Sequence, residues 1–137
     1  MCGITGIYNY LNKPINLKST IEKIVELQHT RGPDDQGIWK SKCQKVCFGH
    51  NRLTIIDLSK NGKQPFISKD ENFVITFNGE IYNFREIKKE LTAKNIFFKS
   101  NSDTEVIIES YKYWGLSFVK KLRGMFAFAL WDSVKKK

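Results

Sequence analysis

The order of strand and helix signals predicts an α+β fold in which two packed sheets are covered by helices. Short segments rich in β-branched and aromatic residues are mixed with helix-capping sequences along the chain. The predicted order contains hairpins and few strand–helix–strand units, which suggests two packed layers of sheet with helices outside. The 137 residues, of which 41% are hydrophobic, suit one domain, so we predict that residues 1–137 form a single unit.

The amino-terminal half predicts a strand, a helix and three further strands. Residues 3–10 are typical of a buried strand, which Asn12-Lys13-Pro14 ends. Ser19-Thr20-Ile21-Glu22 has the form of a capping box, so we predict that a helix begins there and ends before Arg31. Three strands follow in the prediction, at residues 37–39, 46–52 and 73–77.

The carboxy-terminal half begins with a turn signal, Asn78-Gly79. Asn83, with Glu86, predicts the start of a second helix. A third helix is predicted from the capping box Ser102-Asp103-Thr104-Glu105 to Gly115. The remaining predictions are a short strand at 96–98, a helical turn at 118–122 and a final strand at 125–131 that is buried on both faces.

Composition argues against several classes of function. The net charge of +9 comes mostly from lysines scattered along the chain, which predicts a solvated surface rather than a nucleic-acid site. The longest apolar run, residues 125–131, is too short for a membrane span, and the chain opens without a secretory leader, so we expect a cytoplasmic protein. Cys43 and Cys47 suit packing better than a disulfide or a metal site, and we expect no metal in this chain.

Cys2 is the candidate of greatest chemical interest. Aminopeptidases remove an initiator Met that precedes a small residue, and the product would carry a thiol and an α-amine on one residue. The amine has a reference pKa of about 7.7–8.0, so it can accept the thiol proton near neutral pH. A buried packing cysteine is the alternative interpretation of position 2 alone.

Five segments together carry a family resemblance. They are Met1-Cys2-Gly3-Ile4, Arg31-Gly32-Pro33-Asp34, residues 50–57 (HNRLTIID), residues 77–83 (FNGEIYN) and Ser102-Asp103-Thr104-Glu105. In this order and spacing they resemble the glutaminase domain of the glutamine-hydrolysing asparagine synthetases. That domain is a class II glutamine amidotransferase with the αββα sandwich of N-terminal-nucleophile hydrolases, and the similarity extends along the whole chain.

The resemblance implies the reacting groups. Cys2 would attack the side-chain amide carbon of L-glutamine and form a thioester. Asn78, through its side-chain amide, and Gly79, through its backbone N–H, would hold the oxyanion. Taken alone, the dipeptide Asn78-Gly79 favours a simple hairpin turn.

The resemblance also implies the groups that bind the amino-acid end of glutamine. Arg52 would grip the α-carboxylate, although in isolation it reads as a surface arginine. Asp103, assisted by Glu80, would bind the α-ammonium, although helix-end electrostatics also explain its position. The backbone of four residues would line the same pocket: Leu53, Thr54, Ile55 and Ile56.

The parent enzymes pass the ammonia to a synthetase domain that activates aspartate with ATP and Mg²⁺. This chain contains no Ser-Gly-Gly pyrophosphate loop, so we expect no cofactor here, a synthetase domain or subunit as partner, and a homodimer as one possible state of the full-length form. The family also continues beyond the strand at 125–131, so we expect an N-terminal fragment with an unpaired, aggregation-prone edge. Three alternatives stay open: an inactive remnant or interaction module, an amidotransferase for cell-surface sugars, and a basic nucleic-acid binder.

Overall fold

The computed structural model describes residues 2–54 and 62–137. Its strands are β1 (Gly3–Tyr8), β2 (Asp35–Lys40), β3 (Val46–Arg52), β4 (Phe66–Ile67), β5 (Phe73–Ile81) and β6 (Gly124–Asp132). Its α-helices are α1 (Leu17–Leu27), α2 (Phe84–Thr92) and α3 (Asp103–Trp114). Short 3-10 segments follow α1 at His29–Arg31 and α3 at Gly115–Lys121.

The first sheet is antiparallel, in the order β1-β3-β2, and α1 covers its outer face. The helix buries Leu17, Ile21 and Val25 against this sheet, at the spacing that one helix face requires. Gly49 of β3 allows the close approach, because a Cβ there would lie 2.5 Å from the Val25 Cγ2 atom.

The start of α1 differs from the prediction. The helix begins two residues before Ser19, and its cap is Asn16, whose side-chain oxygen accepts from the Ser19 backbone N–H at 3.2 Å. The predicted capping box at Ser19 is therefore wrong. Asn16 lies in an apolar–polar stretch that also fits a loop, so the better cap was hidden by the stronger motif.

The second sheet is also antiparallel, in the order β4-β5-β6. Helices α2 and α3 cover its outer face and enclose the larger core cluster of the described residues. The fully buried members are Ile75, Leu91, Val106, Ile107 and Ile108.

The two sheets pack face to face. Val46 and Phe48 of β3 form one apolar cluster with Val74 and Trp131 of the second sheet. Polar ties cross the same interface, since Thr76 donates its hydroxyl to the Gly49 carbonyl oxygen at 3.1 Å. The layers therefore run helix, sheet, sheet, helices, which confirms the predicted α+β sandwich.

Asn78 and Gly79 lie inside a strand, so the predicted turn is wrong. Strand β5 continues to Ile81 in register with β6, and Gly79 pairs with Phe126. The pairing with β6 accommodates the unusual Gly79 φ angle of 143°, a conformation that also occurs in turns.

Residues 96–98 form no strand, although Ile96 and Phe98 pack against the core. The backbone N–H groups that follow them donate to a side chain instead of to a neighbouring strand. The Glu105 carboxylate accepts from the backbone N–H groups of Lys99 and Ser100 at 2.7–3.1 Å. That carboxylate therefore does not return to the Ser102 backbone, although the Ser102 side chain caps α3 as predicted.

Two smaller predictions also differ from the structure. Asn83 does precede α2, but its side chain makes no cap and instead joins Lys121 O and Arg123 N at 2.9 Å. Strand β6 is exposed along much of its length and is not buried on both faces, because no described strand pairs with its outer edge. Within the described residues, no helix has the length and apolar character needed to cross a membrane.

Candidate active site

A cavity of about 330 Å³ opens where the start of β1, the end of β3, the middle of β5 and the start of α3 meet. Seven of the residues singled out from the sequence line it: Cys2, Arg52, Leu53, Asn78, Gly79, Glu80 and Asp103. They are distant in sequence, so the fold brings them together. A volume of this order suits a small molecule such as an amino acid.

The Cys2 thiol is held at the wall of this cavity. Its sulfur accepts a hydrogen bond from the Leu53 backbone N–H at 3.3 Å and lies 3.6 Å from the Leu53 carbonyl oxygen. The Arg31 side chain donates from Nε to the Cys2 carbonyl oxygen at 3.3 Å. These contacts place the Cys2 side chain at the wall of the cavity.

The Arg31–Asp34 segment connects two parts of the site. While Arg31 holds Cys2, the Asp34 carboxylate accepts from the Thr54 backbone N–H at 2.7 Å. Gly32 lies so close to β3 that a Cβ would be 2.3 Å from the Asn51 carbonyl oxygen. The segment therefore fixes Cys2 relative to the chain that follows β3.

One edge of β5 forms the floor of the cavity. The Tyr82 N–H donates to the Arg123 carbonyl oxygen. The backbone N–H and C=O groups of the even-numbered residues of β5 therefore point towards β6, and those of the odd-numbered residues point towards the opposite edge of the strand. On that other edge, Phe77 N–H donates to Gln64 Oε1 at 2.6 Å and Ile81 N–H donates to Asp103 Oδ2 at 3.1 Å. The alternation directs the Gly79 N–H into the space between these two bonds.

Position 79 also requires a residue without a side chain. A Cβ there would lie 2.2 Å from the Met125 carbonyl oxygen, and its φ of 143° disfavours any other residue. Glycine therefore lets β5 keep its pairing with β6 while its backbone faces the cavity.

Among the described residues, the cavity wall carries one cation and two carboxylates: Arg52, Glu80 and Asp103. Asp103 is only 4% exposed. Burial raises the pKa of its carboxyl, against the lowering effect of the hydrogen bond from the Ile81 N–H and of the backbone N–H groups at the start of α3. The nearby Glu80 charge raises this pKa further. A site with a guanidinium and two carboxylates can bind a zwitterion.

His50 lies beneath the cavity floor and is 1% exposed. Its Nε2 is 3.2 Å from the Phe77 carbonyl oxygen, and because that oxygen only accepts, Nε2 carries the hydrogen. Burial lowers the pKa of the imidazole to about 4, so the ring is neutral at pH 7. Its role here is to tie β3 to β5.

Not every predicted lining residue contacts the cavity. Thr54 follows Leu53 but is not part of the wall, and its N–H is used by Asp34. Ile55 and Ile56 lie outside the described residues. The wall also contains residues to which the sequence analysis assigned no role in the site: Gly62, Gln64, Phe77, Ser102, Thr104 and Met125. Phe77, Ser102 and Thr104 adjoin predicted site residues, whereas Gly62 and Gln64 had no such signal.

Among the described residues, no group of three or more His, Cys, Asp or Glu side chains is placed to hold a metal ion. The polar groups of the cavity are instead arranged as donors and acceptors around open space.

The sequence matches the family described as "Glutamine amidotransferase domain" over residues 1–137. It is 40% identical over 134 residues to asparagine synthetase [glutamine-hydrolyzing] 3 of Bacillus subtilis, covering 96% of this chain and 21% of that protein. It is also 40% identical over 141 residues to amidase chry2 of Gibberella zeae, again covering 96% of this chain and 21% of the other. The chain thus spans about a fifth of the length of these relatives.

The fold is similar to that of a glutamine phosphoribosylpyrophosphate amidotransferase from B. subtilis, solved with ADP and GMP. The TM-score is 0.68 at 21% sequence identity, and the match covers 96% of this chain and 35% of the other. At this identity the similarity concerns the fold, which is the one that the sequence predicted.

Proposed function

This chain belongs to the glutamine amidotransferase domain family, and we propose that its cavity hydrolyses L-glutamine to L-glutamate and ammonia with Cys2 as the nucleophile. The observation that carries the proposal is the shared wall of one cavity. A thiol, an Asn-Gly pair on a strand edge, a guanidinium and two carboxylates line it together. Each group answers one chemical feature of glutamine.

Substrate binding uses the charged wall. Arg52 pairs with the α-carboxylate, which a planar guanidinium recognises well. Asp103 and Glu80 pair with the α-ammonium. The ammonium favours the ionised form of Asp103, whose pKa burial raises in the empty site, so binding and ionisation support each other. The side-chain amide is then directed towards Cys2.

The acylation step forms the thioester. Once the initiator Met is removed, the Cys2 α-amine accepts the thiol proton and the thiolate attacks the amide carbon, forming the carbon–sulfur bond. The carbonyl oxygen becomes an oxyanion, held by the Asn78 side-chain amide and the Gly79 N–H. Collapse of this intermediate breaks the carbon–nitrogen bond, and the ammonium of Cys2 returns its proton to the leaving ammonia.

The deacylation step reverses these roles. The Cys2 α-amine takes a proton from water, whose oxygen attacks the thioester carbon. The same two donors hold the second oxyanion. Collapse breaks the carbon–sulfur bond, the thiolate recovers the proton, and glutamate leaves. The sum is glutamine plus water giving glutamate plus ammonia.

The ammonia has a proposed destination in the longer relatives. The Bacillus subtilis relative is named as a glutamine-hydrolysing asparagine synthetase. We therefore propose that residues 1–137 are the glutaminase part of such an enzyme, in which a synthetase part uses ATP, Mg²⁺ and the ammonia to convert aspartate to asparagine.

The test is glutamate release from L-glutamine by the purified chain, with mass spectrometry to establish that the initiator Met is removed. Cys2→Ala is expected to abolish release. Cys43→Ala is the matched control, because Cys43 is an exposed thiol that does not line the cavity, and it is expected to leave the rate unchanged. Activity that survives in Cys2→Ala would refute the proposal.

A further inference from the structure

We propose that Gln64 is a positioning residue for this site, a role that rests on the proposed glutaminase function. Its carboxamide joins the strand that carries Asn78 and Gly79 to the helix start that carries Asp103. It would thereby set the distance between the oxyanion donors and the ammonium partner.

The first contact fixes the strand. Gln64 Oε1 accepts from the Phe77 backbone N–H at 2.6 Å, one residue before Asn78. Strand β4 pairs with β5 only at Ile75 and Val74, so at Phe77 the side chain of Gln64 takes the place of a neighbouring strand. The side chain is buried, since Gln64 is 7% exposed, and an unmade bond here would leave a buried donor unsatisfied.

The second contact fixes the helix start. Gln64 Nε2 donates to Thr104 Oγ1 at 3.4 Å, next to Asp103. Asp103 in turn accepts from the Ile81 N–H. The hydrogen bonds and the intervening backbone therefore close a ring through Gln64, Phe77, Ile81, Asp103 and Thr104. The Gly79 N–H lies inside this ring, where the oxyanion of the substrate would bind.

The backbone of Gln64 packs against strand β2. A Cβ on Gly37 of β2 would lie 1.9 Å from the Gln64 carbonyl oxygen, so β2 presses directly against this residue. Contact on both sides leaves Gln64 little room to move. A side chain anchored in this way is suited to hold two other elements in a fixed relation.

The expected effect of breaking the ring is kinetic. Gln64→Met keeps the length of the side chain and removes both hydrogen bonds. Because oxyanion donors act in the transition state, we expect kcat for glutamine hydrolysis to fall about 10- to 100-fold, the range that a displaced catalytic group produces. KM should rise as well, since Asp103 loses its fixed position. Gln64→Glu keeps an acceptor for the Phe77 N–H, and we expect its kcat to exceed that of Gln64→Met.

The experiment measures kcat and KM for the wild-type chain, Gln64→Met, Gln64→Glu and the control Gln36→Met. Gln36 is an exposed glutamine of β2 that is not part of the site wall, so this variant should match wild type. Thermal unfolding gives the folded fraction at the assay temperature, which corrects kcat for lost protein. Hydrogen exchange of the Phe77 amide reports the bond directly, and it should accelerate in Gln64→Met alone.

The outcomes separate the two proposals. A folded Gln64→Met chain with faster Phe77 exchange and reduced kcat supports the role of Gln64. Kinetic constants within twofold of wild type, or unchanged Phe77 exchange, would overturn it and leave the glutaminase function standing. A wild-type chain without Cys2-dependent hydrolysis would overturn the function itself, and the role of Gln64 with it.

Discussion

Asp103 is a carboxyl that the fold buries before any substrate arrives. The pKa of this group is raised by burial, although its Oδ2 atom accepts from the Ile81 N–H. Burial therefore disfavours the ionised form of this carboxyl, and a bound ammonium would favour it. His50 is the opposite case, a base that burial keeps neutral.

Replacing Asp103 with Asn should stabilise the chain and weaken binding. A carboxyl whose folded pKa exceeds its unfolded value of 3.8 adds stability below that pH and loses it as the pH rises through the folded pKa. Asp103→Asn should therefore gain melting temperature relative to wild type at pH 7 but not at pH 3. Its KM for glutamine should rise about 10- to 100-fold, as expected for losing a charged hydrogen bond. An unchanged KM would contradict the binding role.

The lowered pKa of the buried His50 imidazole predicts a loss of stability in mild acid. The unfolded group has a pKa of 6.5 and the folded one about 4, so the unfolded state binds more protons between these values. The free energy of unfolding should drop by about 2 kcal/mol between pH 7 and pH 5 from this residue, at about 1.4 kcal/mol per pH unit below 6.5.

His50→Gln is the control for that effect, because an amide can still donate to the Phe77 carbonyl oxygen without titrating. Denaturant unfolding at both pH values measures the difference. An equal acid sensitivity in wild type and His50→Gln would show that another group causes the loss.

Strand β5 combines two demands at the level of the element. It must pair with β6 and also present backbone N–H groups to the cavity. Gly79 meets both because it has no Cβ to collide with Met125 O and because it tolerates a φ of 143°. The same strand edge is closed on either side of Gly79 by Gln64 and Asp103.

Gly79→Ala should therefore lower the free energy of unfolding more than an alanine substitution at a glycine that has a positive φ but no close neighbours. Gly115 gives the matched comparison: its φ is also positive, at 60°, but a Cβ there would meet no atom within 4 Å. We expect Gly115→Ala to cost about 1–3 kcal/mol and Gly79→Ala to cost more, with loss of glutamine hydrolysis. Equal unfolding free energies for the two variants would contradict the close packing at Gly79.

The whole molecule has an open side. Strand β6 lies at one edge of the second sheet as described and β1 at one edge of the first, with the Tyr8 ring 5.8 Å from that of Trp131. Large apolar side chains are exposed along this side, including Met125 at 73% and Tyr8 at 52%. An unpaired edge with apolar residues is a template for pairing with another chain.

We expect the isolated chain to self-associate through the β6 edge as its concentration rises. Ala127→Lys places a charge on this exposed strand, and edge lysines oppose strand pairing. Sedimentation velocity over a range of concentrations should show larger species for wild type than for Ala127→Lys. A wild-type chain that stays monomeric throughout would contradict this expectation.

The sequence predicted the layers better than the boundaries. β3 was predicted with the bounds observed, because it opens on the strand-forming Val46 and Phe48, and the structure buries all of it but Arg52. Helix α1 was misplaced because a capping box was preferred to Asn16. The strand at 96–98 was wrong since Glu105, a side chain distant from the pattern, satisfies the nearby backbone.

The residues of the candidate site also fall into those that the sequence could predict and those that it could not. Its charged and nucleophilic members stand in recognisable motifs, so Cys2, Arg52 and Asp103 could be singled out and lie in one cavity. Gln64 could not be found from the sequence, because its role depends on a tertiary contact with Phe77. Residues that hold other residues have no characteristic spacing, and only the fold identifies them.

The most direct measurement is mass spectrometry of the chain after incubation with 6-diazo-5-oxo-L-norleucine, a glutamine analogue that alkylates a nucleophile bound beside its carbonyl. The three free thiols compete, and one is more exposed than Cys2, namely Cys43. A glutamine site at this cavity predicts a single adduct on an N-terminal Cys2, suppressed by excess L-glutamine. Adducts on Cys43 or Cys47 that spare Cys2, or a retained initiator Met on the active protein, would contradict it.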